Sequence, residues 1–162
     1  MKNLFTPRIG GKVPVWVVIV AVVVIAVVLV IVLTGIPREA GSPEEALKLY
    51  EKSMKGDYKA GWLLMPPSER EKTTFGDYQA MRKQADDNAE MDVTKLEYQD
   101  YVKGNYHYGH YEYDFPENAE EIGTVMYVIN YQSKKGASKY AISTSMIVAK
   151  IDGKWYKLTP LN

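Results

Sequence analysis

A run of nineteen apolar residues, Val15 to Leu33, stands near the front of a chain that is mostly polar elsewhere. The only polar side-chain atom in the run is the indole nitrogen of Trp16. As an α-helix the run would be about 28 Å long, which is close to the hydrocarbon thickness of a bilayer. A core helix of a soluble domain would need a polar face, and this run has none. The pattern predicts a membrane-spanning helix at 13–34 that includes Val15, Trp16 and Leu33.

The flanks of the run favour a retained anchor over a cleaved signal peptide. The run exceeds the roughly 7–15 apolar residues of a signal peptide, and the following TGIPREAGS contains no Ala-x-Ala cleavage pattern. Three cations and no acidic residue precede the run, whereas Arg38 is the one cation shortly after it. The positive-inside rule therefore predicts a short cytoplasmic tail at 1–12, a juxtamembrane linker at 35–42 and an extracytoplasmic domain at 43–162.

Helical spacing returns after the linker in three segments. Ser42 precedes a proline and is followed three residues on by Glu45, which is the signature of a capped helix start. Gly56 is expected to end this helix, and a second short helix then runs to a Pro-Pro pair. The third segment spans about 68–89 and is either continuous or broken near 74–76. The similar stretches GDYKA and GDYQA indicate the same helix-start chemistry used twice, with the aspartate as the cap.

From Met91 onward the pattern is that of β-strands separated by turn residues. The Asp152-Gly153 pair predicts a two-residue hairpin. The strand at 122–132 is apolar on both faces over Val125 to Ile129, which places it centrally. Helices followed by strands indicate an α+β domain, with about three helices packed on one face of an antiparallel sheet of four to five strands. The five candidate strands are DVTKLEYQDYV, YHYGHYEYDF, IGTVMYVINYQ, KYAISTSMIVAK and KWYKL.

Charge and composition exclude several classes of function. Beyond the span, 17 cations face 20 acidic residues, a net charge of about −3, whereas a nucleic-acid binder is expected to carry a basic patch. The chain contains no cysteine, which excludes disulfides, thiol nucleophiles and Cys-ligated zinc. No phosphate loop or dinucleotide motif is present, so no cofactor is predicted.

The segment YVKGNYHYGHYEYDF gathers tyrosines around the only two histidines. On a strand, His107 and His110 would point to opposite faces, so they cannot share one metal ion, and no metal site is predicted. Strand alternation places a candidate surface for a peptide, glycan or protein partner on one side, although the β-propensity of tyrosine alone also explains the composition. The residues of this candidate partner surface are Tyr106, Tyr108, His110, Glu112 and Asp114.

Two stretches, SPEEALKLYEKSMKGDYKAGWLLM at the start of the domain and DGKWYKL near its end, resemble the nuclear-transport-factor-two-like superfamily. This group includes SnoaL-like and ketosteroid-isomerase-like domains. The sequence looks most similar to single-span, membrane-anchored members on bacterial surfaces. The resemblance implies a cone-shaped α+β domain with Trp155 in its core. Enzymes of the superfamily keep an aspartate with a tyrosine or histidine inside the cone, and no such set is matched here by motif.

Two functions remain open at this point. The first is a non-catalytic, membrane-anchored extracytoplasmic module at the bacterial cell surface that binds an envelope protein, peptide or polymer, with homodimerisation through the sheet as a further expectation. The alternative is a small-molecule or enzymatic pocket of the isomerase or hydrolase kind, which requires a buried carboxylate of raised pKa. Asp100 or Asp114 would be the base. The candidate pocket residues are Trp62, Tyr78, Met81 and Asp100.

Overall fold

A computed structural model describes residues 15–34, 38–104 and 112–161. The chain divides into two compact units, Met1–Ile36 and Pro37–Asn162.

The first unit contains helix α1 (Val15–Thr34), a helix of 20 residues that lies where the sequence predicts one. Side chains in α1 are described for residues 16–26, and the Trp16 side chain is exposed. Within the described part of the chain, no helix is both long and apolar enough to cross a membrane. The role of the apolar run as a membrane span stays a prediction from the sequence.

The second unit opens with helix α2 (Pro43–Met54), which begins and ends as its sequence predicts. The Ser42 hydroxyl accepts a hydrogen bond from the Glu45 amide at 3.1 Å, and Gly56 follows the helix with a φ of 91°. The Glu45 carboxylate accepts from the Gly41 amide at 2.7 Å, one residue earlier than in the usual capping box. Ala40, within the predicted linker, is buried and accepts a hydrogen bond from the Trp155 amide at 2.9 Å.

The next three helices are α3 (Tyr58–Leu63), α4 (Pro67–Arg70) and α5 (Phe75–Asn88). Asp57 caps α3 by accepting from the Ala60 amide at 3.1 Å. The second GDY stretch behaves differently, because Thr74 is the N-cap of α5 and Asp77 lies in its first turn. The Thr74 hydroxyl accepts from the Asp77 amide at 3.2 Å and donates to the Asp77 carboxylate at 2.7 Å. This new cap breaks the third predicted helix into α4 and α5.

The sheet is an antiparallel meander in the order β1-β2-β3-β4, with strands β1 (Met91–Lys103), β2 (Glu121–Ser133), β3 (Lys139–Ile151) and β4 (Lys154–Lys157). The α+β prediction and the central position of β2 are confirmed. Asp152 and Gly153 have φ values of 49° and 72°, as a type I′ hairpin requires. Of the predicted strand at 106–115, residues 106–111 lie outside the described residues. The rest forms no strand, and only Tyr113 makes an isolated bridge, to Pro160.

Apolar residues lie on both faces of the central strands, and each face is covered in part by other segments of the chain. Helix α2 lies against β1, β2 and β4, α3 packs on α2, and α5 packs on α3. The helical side of the sheet carries the main core, which includes Val125, Tyr127 and Ile129. The opposite side carries a smaller cluster of Ile147, Ala149 and Leu158, against which Tyr113, Ala119 and Ile122 pack. The segment before β2 therefore closes one end of the second face.

Tyr101 on β1 connects this strand to β2 and to β4 at the main core. Its hydroxyl donates to the Glu121 carboxylate at 2.7 Å, and its ring meets Trp155 edge-on at a centroid distance of 5.4 Å. The hydrogen bond from Tyr101, followed by that from Lys103, lowers the pKa of Glu121. Burial is the main cause that raises the pKa of Tyr101. Gly123 lies directly under the Tyr101 ring, and this close approach is possible because glycine has no side chain.

Candidate functional site

A groove on the helical side of the domain brings two cations and two tyrosines together. Its volume is about 260 Å³, and its walls come from α2, α3, α5 and the end of β4. The side chains that give it chemical character are Tyr50, Ser53, Tyr78, Met81, Arg82 and Lys157.

The floor of the groove depends on Gly61 in α3. A side chain at this position would clash with the Ser53 hydroxyl and with the Tyr78 hydroxyl, which both approach its Cα closely. Ser53 and Tyr78 are themselves buried. Trp62 packs behind Tyr78 at a ring-centroid distance of 5.6 Å. The contact between α3 and α5 therefore fixes the Tyr78 ring in the wall of the groove.

Lys157 enters the groove from the last position of β4. Its amide donates to the carbonyl of Leu64 at 2.8 Å, which ties the strand to the end of α3. Its Nζ lies 5.4 Å from the centroid of the Tyr50 ring, within the range of a cation–π contact. Burial is the first cause that lowers the pKa of Lys157, and the neighbouring charge of Arg82 is the second. Glu69 acts in the opposite direction on this pKa, without forming an ion pair among the described residues.

Arg82 reaches the same groove from α5. One guanidinium nitrogen lies 3.4 Å from the Asp86 carboxylate, which is long for a hydrogen bond to oxygen, and 3.5 Å from the Met54 sulfur. The Nε atom is buried and has no hydrogen-bond partner among the residues that the structure describes. Buried polar groups in folded proteins are nearly always paired, with protein, water or a ligand. The guanidinium of this groove-lining residue therefore retains hydrogen-bonding capacity that the described residues do not use.

Tyr50 supplies the opposite wall. Its ring meets that of Tyr127 edge-on at 6.2 Å, so the wall is continuous with the main core. Burial is the main cause that raises the pKa of Tyr50. The neutral phenol and the aromatic face both border the groove. Together these side chains offer two positive charges, hydroxyl groups and a flat apolar surface.

A second hollow, of about 650 Å³, lies at the end of α5 and has an acidic character. Its lining includes Asp86, Asp87, Glu90 and Asp92, which match an acidic run in the sequence. Lys134 crosses it, with Nζ 2.7 Å from the Asp86 carbonyl and 3.7 Å from the Asp92 carboxylate. Over the described ranges, no group of three or more histidine, cysteine, aspartate or glutamate residues is placed to hold a metal ion. This hollow is a charged surface.

The structure brings together only part of the candidate pocket. Tyr78 and Met81 line the groove, whereas Trp62 lies behind Tyr78. Asp100 is exposed on β1 opposite Met126, where its carboxylate accepts from the Tyr101 amide at 2.7 Å, away from the groove. The acid that the pocket hypothesis requires is therefore not Asp100.

The candidate partner surface is described only at its C-terminal end. Tyr106, Tyr108 and His110 lie outside the described residues. Glu112 and Asp114 are exposed, and the Glu112 carbonyl accepts from the Leu161 amide at 2.8 Å. The proposed role of this surface stays a prediction.

Sequence reasoning missed Tyr50, Arg82 and Lys157. One signal for Lys157 was available. In the strand KWYKL, alternation places Lys157 on the same face as the core residue Trp155. A lysine at a core-facing position of a strand is a candidate for a functional cation. Arg82 gives no such signal, because its neighbours on α5 are mostly exposed and polar.

Comparison with known proteins gives no family. No protein-family model matches the chain, and no curated protein matches it. One similar solved structure is the solution structure of a SEC-C motif containing protein from Rhodopseudomonas palustris. The identity is 17%, the TM-score is 0.48, and the match covers 76% of this chain and 80% of that chain. A likeness at this level says nothing about what this chain binds.

The resemblance to the nuclear-transport-factor-two-like superfamily, including its membrane-anchored bacterial type, is wrong. The comparisons return a SEC-C motif containing protein and no matching family model. The physical reason lies in the two stretches that suggested it. They encode a capped helix start, a glycine turn and a type I′ hairpin, which are local features shared by many unrelated folds.

Proposed function

We propose that this chain is a membrane-anchored, extracytoplasmic and non-catalytic binding module whose ligand site is the groove between α2, α3, α5 and β4. One observation carries the proposal: Lys157 and Arg82 converge on an aromatic-walled groove of about 260 Å³. Such concave sites, with a few polar groups among apolar ones, are typical of small-ligand binding. Both cations are partly buried there, an arrangement that binding of a ligand would stabilise.

The anchor part of the proposal is supported by the sequence alone. The run from Val15 to Leu33 is continuous and apolar, and the charges that flank it favour a cytoplasmic N-terminus. A single-span anchor would confine the domain near the bilayer surface and raise its effective concentration toward envelope partners. Homodimerisation through the sheet stays a further expectation.

We expect the full-length protein to remain in the membrane pellet after an alkaline carbonate wash. Two arginines, introduced as Val20→Arg and Val24→Arg, should move it to the soluble fraction. Each arginine near the centre of a span costs about 3 kcal/mol of insertion free energy. The matched control is Val20→Leu with Val24→Leu, which should stay in the pellet. Recovery of the intact wild-type chain in the soluble fraction without detergent would refute the anchor.

The role of the groove as the ligand site is tested by a larger side chain placed at its edge. Met81 is exposed and lines the groove, so Met81→Trp should block ligand entry with little effect on the fold. Ile142 is similarly exposed, on β3 and outside the lining, and Ile142→Trp is the matched control. The probes are benzyl alcohol, phenylacetate and phenethylamine. Their binding is measured by ligand-observed NMR on the full chain in detergent micelles. At least one probe should bind wild type and the control but not Met81→Trp. Equal binding by all three proteins would place the ligand site elsewhere.

A second candidate function, an enzymatic pocket, is favoured by one observation at Glu69. This half-buried carboxyl lies close enough to Lys157 to interact with it, and burial is the main cause that raises its pKa. Raised carboxyl pKa values are common in general acids and bases. Glu69 does not line the groove itself. Chemical conversion of a bound probe over hours, lost in Glu69→Gln, would favour the enzyme over the binding module.

A further inference from the structure

The charge of the groove is opposite to that of the domain around it. The part of the chain that follows the apolar run has a net charge of about −3. The charged side chains that line the groove are nevertheless two cations, Arg82 and Lys157, with no carboxylate among the described lining residues. Like charges confined in a partly dry cleft repel each other and focus positive potential there. An anion is the species that this arrangement attracts.

Both cations are incompletely satisfied by the protein. Lys157 contacts the Tyr50 ring, and no described carboxylate lies within ion-pair distance of it. Arg82 contacts the Asp86 carboxylate at 3.4 Å and the Met54 sulfur at 3.5 Å through one terminal nitrogen, whereas its buried Nε has no partner among the described residues. A cation that is taken out of water without a partner is destabilised, and a charge-assisted hydrogen bond to a bound anion removes that penalty.

The other lining residues of the groove indicate the polarity and the size of the rest of the ligand. The Tyr50 and Tyr78 rings, Met81 and Leu64 present an apolar lining beside the charges. A volume of about 260 Å³ lies just below the range of typical drug-sized pockets, so it suits a compact molecule of one ring or an equivalent short chain.

We propose that the groove binds a small organic anion, with a carboxylate held between Lys157 and Arg82 and an apolar body against Tyr50 and Tyr78. This inference rests on the proposed function and adds the chemical class of the ligand to it. A carboxylate suits a guanidinium paired with an ammonium, because both can donate to its two oxygens at once.

The test compares three probes of nearly the same shape and different charge: phenylacetate, 2-phenylacetamide and phenethylamine. Affinities are measured by titration calorimetry on the full chain in detergent micelles. Phenylacetate should bind at least about tenfold more tightly than the amide, the ratio expected for hydrogen bonds to charged groups. Phenethylamine should bind most weakly, and added salt should weaken phenylacetate binding selectively.

Variants separate the two cations from their neighbours. Lys157→Met and Arg82→Met keep most of the apolar stem and remove the charge, and each should reduce the preference for phenylacetate over the amide to about threefold or less. The controls are Lys154→Met in the same strand and Lys83→Met beside Arg82 on α5, both exposed and outside the lining, which should keep the wild-type preference.

Equal binding of phenylacetate and its amide to the wild type would overturn the anion assignment and leave the groove as a ligand site. A wild-type preference that survives both Met variants would also overturn it, because the anion would then bind elsewhere. Absence of binding by all three probes would count against the anion assignment and the proposed function together.

Discussion

Replacement of Gly123 by alanine is expected to lower the free energy of unfolding by about 1–3 kcal/mol, the usual range for an overpacked core. The new Cβ would fall on the Tyr101 ring, closer than van der Waals contact allows. The ring has little freedom to move, since Trp155 meets it edge-on at 5.4 Å and Glu121 holds its hydroxyl at 2.7 Å. Urea denaturation of the full chain in detergent, followed by near-ultraviolet circular dichroism, measures the loss.

Gly136 provides the control for this substitution. It lies in the exposed turn between β2 and β3, and a Cβ added there would meet no atom within 4 Å. Gly136→Ala should therefore have a free energy of unfolding within about 0.5 kcal/mol of the wild-type value. In a Tyr101→Ala background, where the ring is absent, Gly123→Ala should have little additional effect. The same loss in both backgrounds would show that the ring is not the cause.

Trp155→Ala should destabilise the domain by about 3–5 kcal/mol, the largest single effect that we expect. The Trp155 side chain is buried in the main core, where it packs against the Tyr101 ring. Its removal leaves a cavity in the main core beside the Tyr101 ring. The same urea titration measures the loss, and Trp155→Phe should recover a large part of it.

The matched control is Lys154→Ala in the same strand. Lys154 is exposed and begins β4, so its truncation should change the unfolding free energy by no more than about 0.5 kcal/mol. A loss below about 1 kcal/mol for Trp155→Ala would contradict the central role of this residue in the core.

Local signals in the sequence predicted the local structure well. The Ser42 cap, the Gly56 stop and the Asp152-Gly153 hairpin each depend on a few neighbouring residues, and each is present. The apolar character of Val125 to Ile129 on both faces also identified β2 as a central strand, because a strand that is covered on both sides carries apolar residues on both.

Predictions failed where distant residues or an irregularity decide the outcome. Simple alternation places Tyr98 and Asp100 on the same face of β1. A bulge between them pairs Tyr98 with Tyr127 but Asp100 with Met126, which sends the two side chains to opposite faces. No feature of the sequence around position 99 announces this bulge.

The groove itself could not be predicted because its two cations come from distant parts of the chain. Arg82 lies on α5 and Lys157 on β4, and only the packing of α5 on α3 and the bond from Lys157 to Leu64 bring them to one place. The sequence identified Tyr78 and Met81 by their helical spacing. It did not indicate which charged side chains line the groove beside these two residues.

The hydrogen bond between the Ala40 carbonyl and the Trp155 amide has a mechanical consequence. Tension applied along the chain ahead of residue 39 enters the folded unit at the ion pair between Glu39 and Arg70 and at this bond, which loads the final hairpin directly, before α2 is stretched. Under a sustained pull from the N-terminal side, β4 is therefore the first strand to bear the force, and the Lys157 wall of the groove would be disturbed before the main core opens.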